Sequence, residues 1–394
     1  MNIEDNLSFE NTEIAFAGRT DKDLNRAYWL FRFLNYNTFV RIGSSLTNWA
    51  LRRNLPIEGM IRKTVYKQFC GGENMSECQD TINFLTKYNI GTILDYSSEG
   101  HDDTEAFEFT QKEILSTVYR ASLDKRIAFC VFKPTGLMRF GLLEKIDAKQ
   151  ALTKVEQNEF KAARARVNLI CHMCHEKGVS LFVDAEETWI QETIDDMILD
   201  MMRTYNKDKV IVYNTLQMYR TDRVDYLHKL AEDARKNGYK IGLKLVRGAY
   251  LEKERERASK MGYPSPLHTA KEATDRDYDA AVRFCLENID IISVCAGTHN
   301  ENSSMLMAEY IIEHNIPRNH PHLHFSQLLG MSDHISFNLA SAGFNVSKYV
   351  PYGPIEAVIP YLIRRAQENT AVAGQMGREL QFIVREKARR KGLK

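Results

Sequence analysis

The side chains in this sequence that could do chemistry sit at the ends of short apolar runs. Residues 127–134 are apolar until Lys133, and residues 181–186 end in Asp184 and Glu186. The run 210–217 ends in Asn214 and Gln217, and 241–248 carries Lys244 and Arg247. Residues 291–300 end in Thr298, His299 and Asn300, and 345–352 in Lys348, Tyr349 and Tyr352. If these runs are parallel strands of one barrel, all the ends share one mouth, where barrel active sites lie. Lys133, Lys244 and Arg247, opposed by few acids, would then suit an anionic ligand, either phosphate or carboxylate. Lys244 is in phase with Gly242 and Val246 and out of phase with Leu243 and Leu245. In a closed barrel that phase points inward, so Lys244 needs an anionic or polar partner among core side chains.

Further along, Arg364-Arg365 precede Glu368 and Asn369 in a helical stretch, the final helix in this reading. An Arg–Glu pair at i, i+4 is ordinarily a surface contact worth a few tenths of a kcal/mol. Adjacent arginines diverge by about 100° on a helix, so both reach one carboxylate only if the helix lies across the mouth. No strand is followed by GxGxxG or GxxxxGK[ST], which argues against a Rossmann or P-loop phosphate cradle. Cys171-His-Met-Cys174-His175 has the CxxCH spacing of haem attachment. However, Phe160, Ala163, Val167, Ile170, Cys171 and Cys174 form one apolar stripe at helical steps, so the cysteines read as core. His320, His322 and His324 alternate on one face of an extended segment and could bind metal. No carboxylate adjoins them, and the segment reads as a pre-strand loop with no metal.

The elements that must position these residues follow from periodicity. Residues 21–65 read as helix, with Leu24, Tyr28, Leu30, Phe31 and Leu34, then Phe39, Ile42, Leu46, Ala50 and Leu51, broken at Pro56. A second helix is expected near residues 78–88. Apolar runs then alternate with amphipathic stretches: 92–96, 127–134, 181–185, 210–216, 241–248, 291–298, 322–328 and 345–352. Helix patterns between them include 104–123, 154–177, 187–205, 222–237 and 304–314. A ninth run, 66–71, is short and Gly-ended and reads as a lead-in. Strand–helix alternation without hairpin dipeptides implies parallel strands with crossover helices. Eight units over roughly 280 residues is the count of a (β/α)8 barrel, favoured over an open doubly wound sheet. The expected organisation is a helical arm at 1–89, a barrel at 90–378 and a basic tail at 379–394.

Composition narrows the class. The 394 residues carry 53 basic and 52 acidic side chains, a net charge of +1 that gives no reason to expect nucleic acid. A hydrophobic fraction of 44% fits a globular α/β protein. No run approaches the roughly 18 apolar residues of a membrane span. Glu4, Asp5, Glu10 and Glu13 near the start argue against a signal or transit peptide. Seven irregularly spaced cysteines fit a reducing, cytoplasmic compartment.

The motifs resemble those of the proline dehydrogenase family, nearer its mitochondrial branch than the domain of bifunctional bacterial enzymes. Gly242-Leu-Lys-Leu-Val-Arg-Gly-Ala-Tyr250 and Tyr361-Leu-Ile-Arg-Arg-Ala-Gln-Glu-Asn369 are the most distinctive. Phe182-Val-Asp-Ala-Glu186, Thr298-His-Asn300, Phe325-Ser-Gln-Leu-Leu-Gly-Met331 and Lys348-Tyr-Val-Pro-Tyr-Gly353 match in the same order. The resemblance covers the chain from about Phe69 onward. It implies a distorted (β/α)8 barrel with the last helix over the mouth, noncovalent FAD, and oxidation of L-proline to Δ1-pyrroline-5-carboxylate. A membrane quinone would accept the electrons, the enzyme sitting peripherally on the inner face of the membrane, and a pyrroline-5-carboxylate dehydrogenase would be the natural recipient of the product.

By the same resemblance, Arg364, Arg365 and Lys133 hold the proline carboxylate, and Asp184 orients that cluster and offsets its charge. Tyr250 and Tyr349 pack around the ring, with Leu328 closing an apolar side. Lys244 sits near flavin N5, where the family often has Arg. Gln217, Arg247, Gly248, Ala249, Thr298, His299, Asn300 and Glu368 line the cofactor. The first 65 residues or so match only in helical character. The basic tail is either a contact for anionic lipid, at about 1 kcal/mol per residue, or a solvated helix end. Rival readings are a methylenetetrahydrofolate reductase-like flavin barrel, which would be bleached by NADH, a colourless metal-dependent barrel hydrolase, and a flavin-free binding protein.

Overall fold

The computed structural model describes residues 7–34, 53, 58–97, 103–371 and 375–392, without the side chains of 366–371 and 375–376. The expected helical stretch around Phe39, Ile42, Leu46, Ala50, Leu51 and Pro56 therefore lies outside the described residues. Helices α1 (Thr12–Ala15), α2 (Asp21–Leu34) and α3 (Gln79–Thr86) lead to strand β1 (Ile90–Tyr96). There follow α4 (Thr104–Leu123), β2 (Ile127–Phe132), α5 (Phe140–Asp147), α6 (Lys154–Lys177), β3 (Leu181–Val183) and α7 (Thr188–Tyr205). Next come β4 (Val212–Gln217), α8 (Arg223–Asn237), β5 (Ile241–Val246), α9 (Leu251–Met261), α10 (Lys271–Glu287) and β6 (Ile292–Gly297). The chain continues with α11 (Glu301–Glu313), β7 (Leu323–Leu328), α12 (Asp333–Ser341), β8 (Val346–Tyr352), α13 (Ile355–Ala371) and α14 (Gln375–Arg390).

The eight strands close in chain order, β1 through β8, as one barrel. The registered pairs from β1–β2 to β6–β7 are parallel. This is the (β/α)8 architecture read from the alternation, and closure removes the open-sheet alternative. Two details differ from that reading. The stretch between β5 and β6 holds two helices, α9 and α10, because Gly262 at φ +73° ends the first. Arg364 and Arg365 lie on α13, which is followed by another helix.

The chain divides into two compact units, residues 92–326 and residues 1–91 with 327–394. In the first, the inward residues of successive strands make an aromatic floor. Phe129 and Phe182 stack at 4.1 Å, while Tyr213 and His324 meet Phe129 edge-on at 5.4 and 4.9 Å. Such pairs contribute about 1 kcal/mol each beyond the area they bury. The Tyr213 hydroxyl and Ser293 Oγ share a hydrogen bond of 2.8 Å, so the one phenol of this floor is satisfied. His324 Nε2 contacts the Pro321 carbonyl and His322 Nδ1 that of Ile289, so both rings are used locally. Helix α6 starts with a Thr153–Glu156 capping box and buries Ala163, Val167, Ile170, Cys171 and Cys174, the stripe that contains the CxxCH cysteines.

In the second unit, α2, α13 and α14 bury Leu24, Phe31, Val358, Ile359, Leu362, Phe382 and Ile383 around Phe69. Residues 66–69 are helical, not extended, and the lead-in joins β8 through a Gly72–Tyr352 bridge. Several basic residues near the C-terminus lie on α14 and are engaged by neighbouring acids. Arg385 pairs with Glu10, Arg389 with Glu386, and Arg390 with Asp21 and Glu386. Among the described residues no helix is long and apolar enough to cross a membrane.

Candidate active site

Strand parity decides which side chains enter the barrel. Phe129 and Phe182 face inward at the floor, so Lys133 and Asp184, four and two residues on, leave the strand ends in the same phase. Lys244 shares that phase on β5 and is buried, its Nζ 5.3 Å from the Phe182 ring centroid. The anionic partner its position demanded is Asp184, whose Oδ1 it contacts directly. The other Asp184 oxygen lies 3.7 Å from Lys133 Nζ, and Lys133 donates to Asp95 Oδ2 at 3.2 Å. Four charges from β1, β2, β3 and β5 thus make one chain, Asp95–Lys133–Asp184–Lys244.

Asp95 is 1% exposed and was not among the residues singled out from the sequence. Its signal was available: an acid two positions beyond Ile93 on β1. The expectation of a mouth with few acids is corrected by this chain. Buried ammonium groups are stable only when paired, and within this unit Lys133 and Lys244 are matched by Asp95 and Asp184.

Arg247 is also matched. Its Nε donates to Asp275 Oδ1 at 2.6 Å, Nη1 to Thr298 Oγ1 at 2.7 Å and Nη2 to Ser303 Oγ at 2.9 Å. The guanidinium stacks 4.4 Å from the Tyr278 ring centroid. Burial works against the Asp275 charge, but Lys271 and Arg247 hold its carboxyl below the usual value. Arg247 therefore ties the end of β5 to α10 and to the first turn of α11. Asn300 caps α11, its Oδ1 accepting from Ser303 N at 3.0 Å, while its own N–H donates to Thr298 Oγ1 at 3.1 Å. The amides of this first turn and half-buried His299 border an N-terminus suited to an anion such as a pyrophosphate. Gly248 has φ +128°, and a Cβ there would meet the Tyr219 ring at 2.5 Å. Only glycine lets Ala249 and Tyr250 follow β5 in this path; Tyr250 is the N-cap of α9.

Gln217 ends β4, its Nε2 donating to the Glu186 carbonyl at 3.1 Å. Its Oε1 is buried with no hydrogen-bond partner among the described residues. An orphan acceptor of this kind costs about 1–3 kcal/mol unless a ligand donates to it, and a flavin ring N–H is such a donor. That atom, with the α11 N-terminus, is the observation that fits a flavin dinucleotide. Glu186 accepts from Thr135 N at 2.9 Å and from its hydroxyl, pinning the loop behind Lys133 to the end of β3.

In the other unit, Leu328 ends β7, and Tyr349 on β8 is buried. Arg364 and Arg365 are both half-buried on α13, with Arg365 lying 5.3 Å from the Tyr361 ring centroid. The Glu368 and Asn369 side chains lie outside the described residues. Lys348, grouped from the sequence with polar strand ends at the mouth, is turned the other way: it is 0% exposed and pairs with Asp333 at 2.9 Å. Adjacent strand residues face opposite sides, so Lys348 and Tyr349 cannot share a face.

A family model described as proline dehydrogenase matches residues 78–378. The chain is similar to "Proline dehydrogenase 1, mitochondrial" of Dictyostelium discoideum, 32% identical over 379 residues that cover 85% of this chain and 66% of that one. It is also similar to the carbapenem antibiotics biosynthesis protein CarD of Pectobacterium carotovorum subsp. carotovorum, 31% identical over 334 residues, 84% of this chain and 86% of the relative. Proline utilization A from Bdellovibrio bacteriovorus, solved after inactivation by N-propargylglycine, has the same fold. Its TM-score is 0.72 at 21% identity, over 92% of this chain and 38% of that chain. The chain thus spans just under two thirds of the Dictyostelium relative and well under half of the solved one.

Proposed function

The chain belongs to the proline dehydrogenase family, and from that premise we propose that it oxidises L-proline to Δ1-pyrroline-5-carboxylate with FAD as cofactor and a membrane quinone as electron acceptor. The observation that carries this reading is the Asp95–Lys133–Asp184–Lys244 chain together with the unpartnered Gln217 acceptor. A balanced set of fixed charges and an acceptor that needs a donor thus stand on neighbouring strands, β4 being paired with β3 and β5.

Bound FAD supplies the two-electron acceptor for the hydride leaving proline C5. Gln217, Arg247, Gly248, Ala249, Thr298, His299, Asn300 and Glu368 hold it. Arg247 does so by ordering the first turn of α11, since three of its N–H groups are already committed within the protein. Lys244 is a fixed positive charge that favours added electron density nearby.

Arg364, Arg365 and Lys133 bind the substrate carboxylate. Asp184 sets the direction of the Lys133 and Lys244 ammonium groups and keeps them from repelling each other. Tyr250, Tyr349 and Leu328 form the walls that fix the ring and exclude water. Holding both reactants this way lowers the barrier by several kcal/mol, because orientation is settled before reaction. No side chain is assigned as a general base; the substrate amine loses its proton to water. The arm, barrel and tail limits at 1–89, 90–378 and 379–394 remain the division of labour within this reading. The enzyme works at the cytoplasmic membrane face, and its product passes to a pyrroline-5-carboxylate dehydrogenase.

The test is turnover by protein reconstituted with FAD, supplied with L-proline and a soluble quinone analogue. Formation of Δ1-pyrroline-5-carboxylate supports the reading. A flavoprotein reduced by NADH and inert to proline would replace it with the folate-reductase type.

A further inference from the structure

Lys348 is fully buried in β8; its ammonium donates to two backbone carbonyls and forms an ion pair with a carboxylate, all within its own unit. Its Nζ lies 2.9 Å from Asp333 Oδ1, 3.4 Å from the Leu328 carbonyl oxygen, and in contact with the Met331 carbonyl. The second Asp333 oxygen accepts from Arg19 Nη2 at 2.9 Å, so a residue just before α2 reaches the strand through one carboxylate. Burial works to raise the Asp333 carboxyl, but Lys348 and Arg19 together hold it at about 2.

The turn that receives these bonds is unusual. Gly330 has φ +76° and Ser332 φ +49°, left-handed backbone that a side-chain-bearing residue adopts only when its surroundings enforce it. Gln68 Nε2 donates to the Gly330 carbonyl at 2.9 Å, and Ser332 N–H donates to buried Glu379 of α14. Leu329 N–H donates to the Tyr349 carbonyl at 2.9 Å. The segment from Leu328 to Ser332 is thereby fastened to β8, to the lead-in helix and to α14.

A buried ion pair is a poor source of stability, since well-packed apolar side chains of similar volume usually do as well or better. What this one provides is geometry: Lys348 grips the Leu328 carbonyl while its chain neighbour Tyr349 is bonded to Leu329. We propose that Lys348 is a positioning residue that sets Leu328 and Tyr349 relative to each other, and that Arg19 of the N-terminal arm, acting through Asp333, holds Lys348 in place. The inference rests on the reading of Leu328 and Tyr349 as walls of the proline site. It gives the arm, which has no other role assigned, a part in substrate fit.

Arg19→Met tests this in the full-length, FAD-loaded protein, with Arg19→Lys as the conservative control and Lys348→Met as the direct variant. Per bound flavin, Arg19→Met is expected to raise the proline KM roughly threefold to tenfold while kcat stays within about twofold. The preference for proline over 4-hydroxyproline should narrow, and Arg19→Lys should recover at least half of both effects. A variant with lower thermal stability but unchanged KM and substrate preference assigns Arg19 a structural role only and overturns the inference. Should Lys348→Met fail to fold, the Arg19 pair still decides. Wild-type protein that does not turn over proline removes the proline reading and this inference with it, a result seen in the control before any variant is compared.

Discussion

The Asp184 carboxylate joins two ammonium groups from different strands: one oxygen contacts Lys244 Nζ, and the other lies 3.7 Å from Lys133 Nζ. All three side chains are at most 14% exposed. Asp184 is thus the electrostatic hinge of the site, and its loss leaves two poorly hydrated cations facing each other.

Asp184→Asn preserves shape and removes charge. Proline-dependent flavin reduction is expected to fall about 100-fold or more. Stability should drop by about 3 kcal/mol, the lower end for breaking a buried pair. Stopped-flow reduction and urea unfolding measure the two effects; near-normal reduction by the variant would count against the hinge.

Lys244→Met removes the cation nearest the aromatic floor. If Lys244 stabilises the electron-rich cofactor, the bound flavin potential should fall by on the order of 30 mV, equivalent to about 1.4 kcal/mol for two electrons. Lys244→Arg should keep most of the wild-type potential. Equal potentials in all three proteins would remove Lys244 from that role.

Tyr349 is buried on β8, and as a wall of the proposed proline site its phenol ring would leave little room for a ring hydroxyl on the substrate. Tyr349→Ser is expected to raise kcat/KM for 4-hydroxyproline relative to proline about tenfold, in line with the few kcal/mol that govern pocket fit. An unchanged ratio would show that the ring does not face the substrate.

Strand parity made much of this legible in advance. Lys244 stood out as an inward cation needing a partner, and the structure supplies Asp184. The eightfold alternation led to the barrel because each strand is short, apolar and followed by an amphipathic helix. Asp95 was missed because a single acid near a strand end looks solvated until its neighbours are known. Lys348 was misread for a related reason: a polar residue at the end of an apolar run does not reveal which face it takes. Two partners of Arg247, Asp275 and Ser303, come from α10 and α11, well beyond the span over which periodicity carries information.

The barrel floor predicts a pH dependence of folding. Burial lowers the His324 pKa from 6.5 to about 4. Between those values the unfolded chain binds more protons than the folded one, so stability falls as pH falls through that window. The contribution is complete above about pH 6.5, is lost toward pH 4, and amounts to about 3 kcal/mol. Denaturant titrations at pH 7 and pH 4.5 should show the loss, with a smaller difference for His324→Phe. Asp333 titrates lower, its stabilisation being lost only below about 3.8, the ordinary carboxylate value, and toward 2. An identical pH difference in wild type and His324→Phe would assign the effect elsewhere.

The central claim is that this barrel holds a flavin positioned to take hydride from C5 of proline. Its most direct test is the anaerobic visible spectrum of the FAD-loaded protein, followed as L-proline, and then L-proline deuterated at C5, is added. The account predicts bleaching by proline, slower bleaching with the deuterated substrate, and return of the oxidised spectrum on adding a quinone analogue. A flavin spectrum that proline leaves untouched, or protein that retains no flavin after reconstitution, would contradict it.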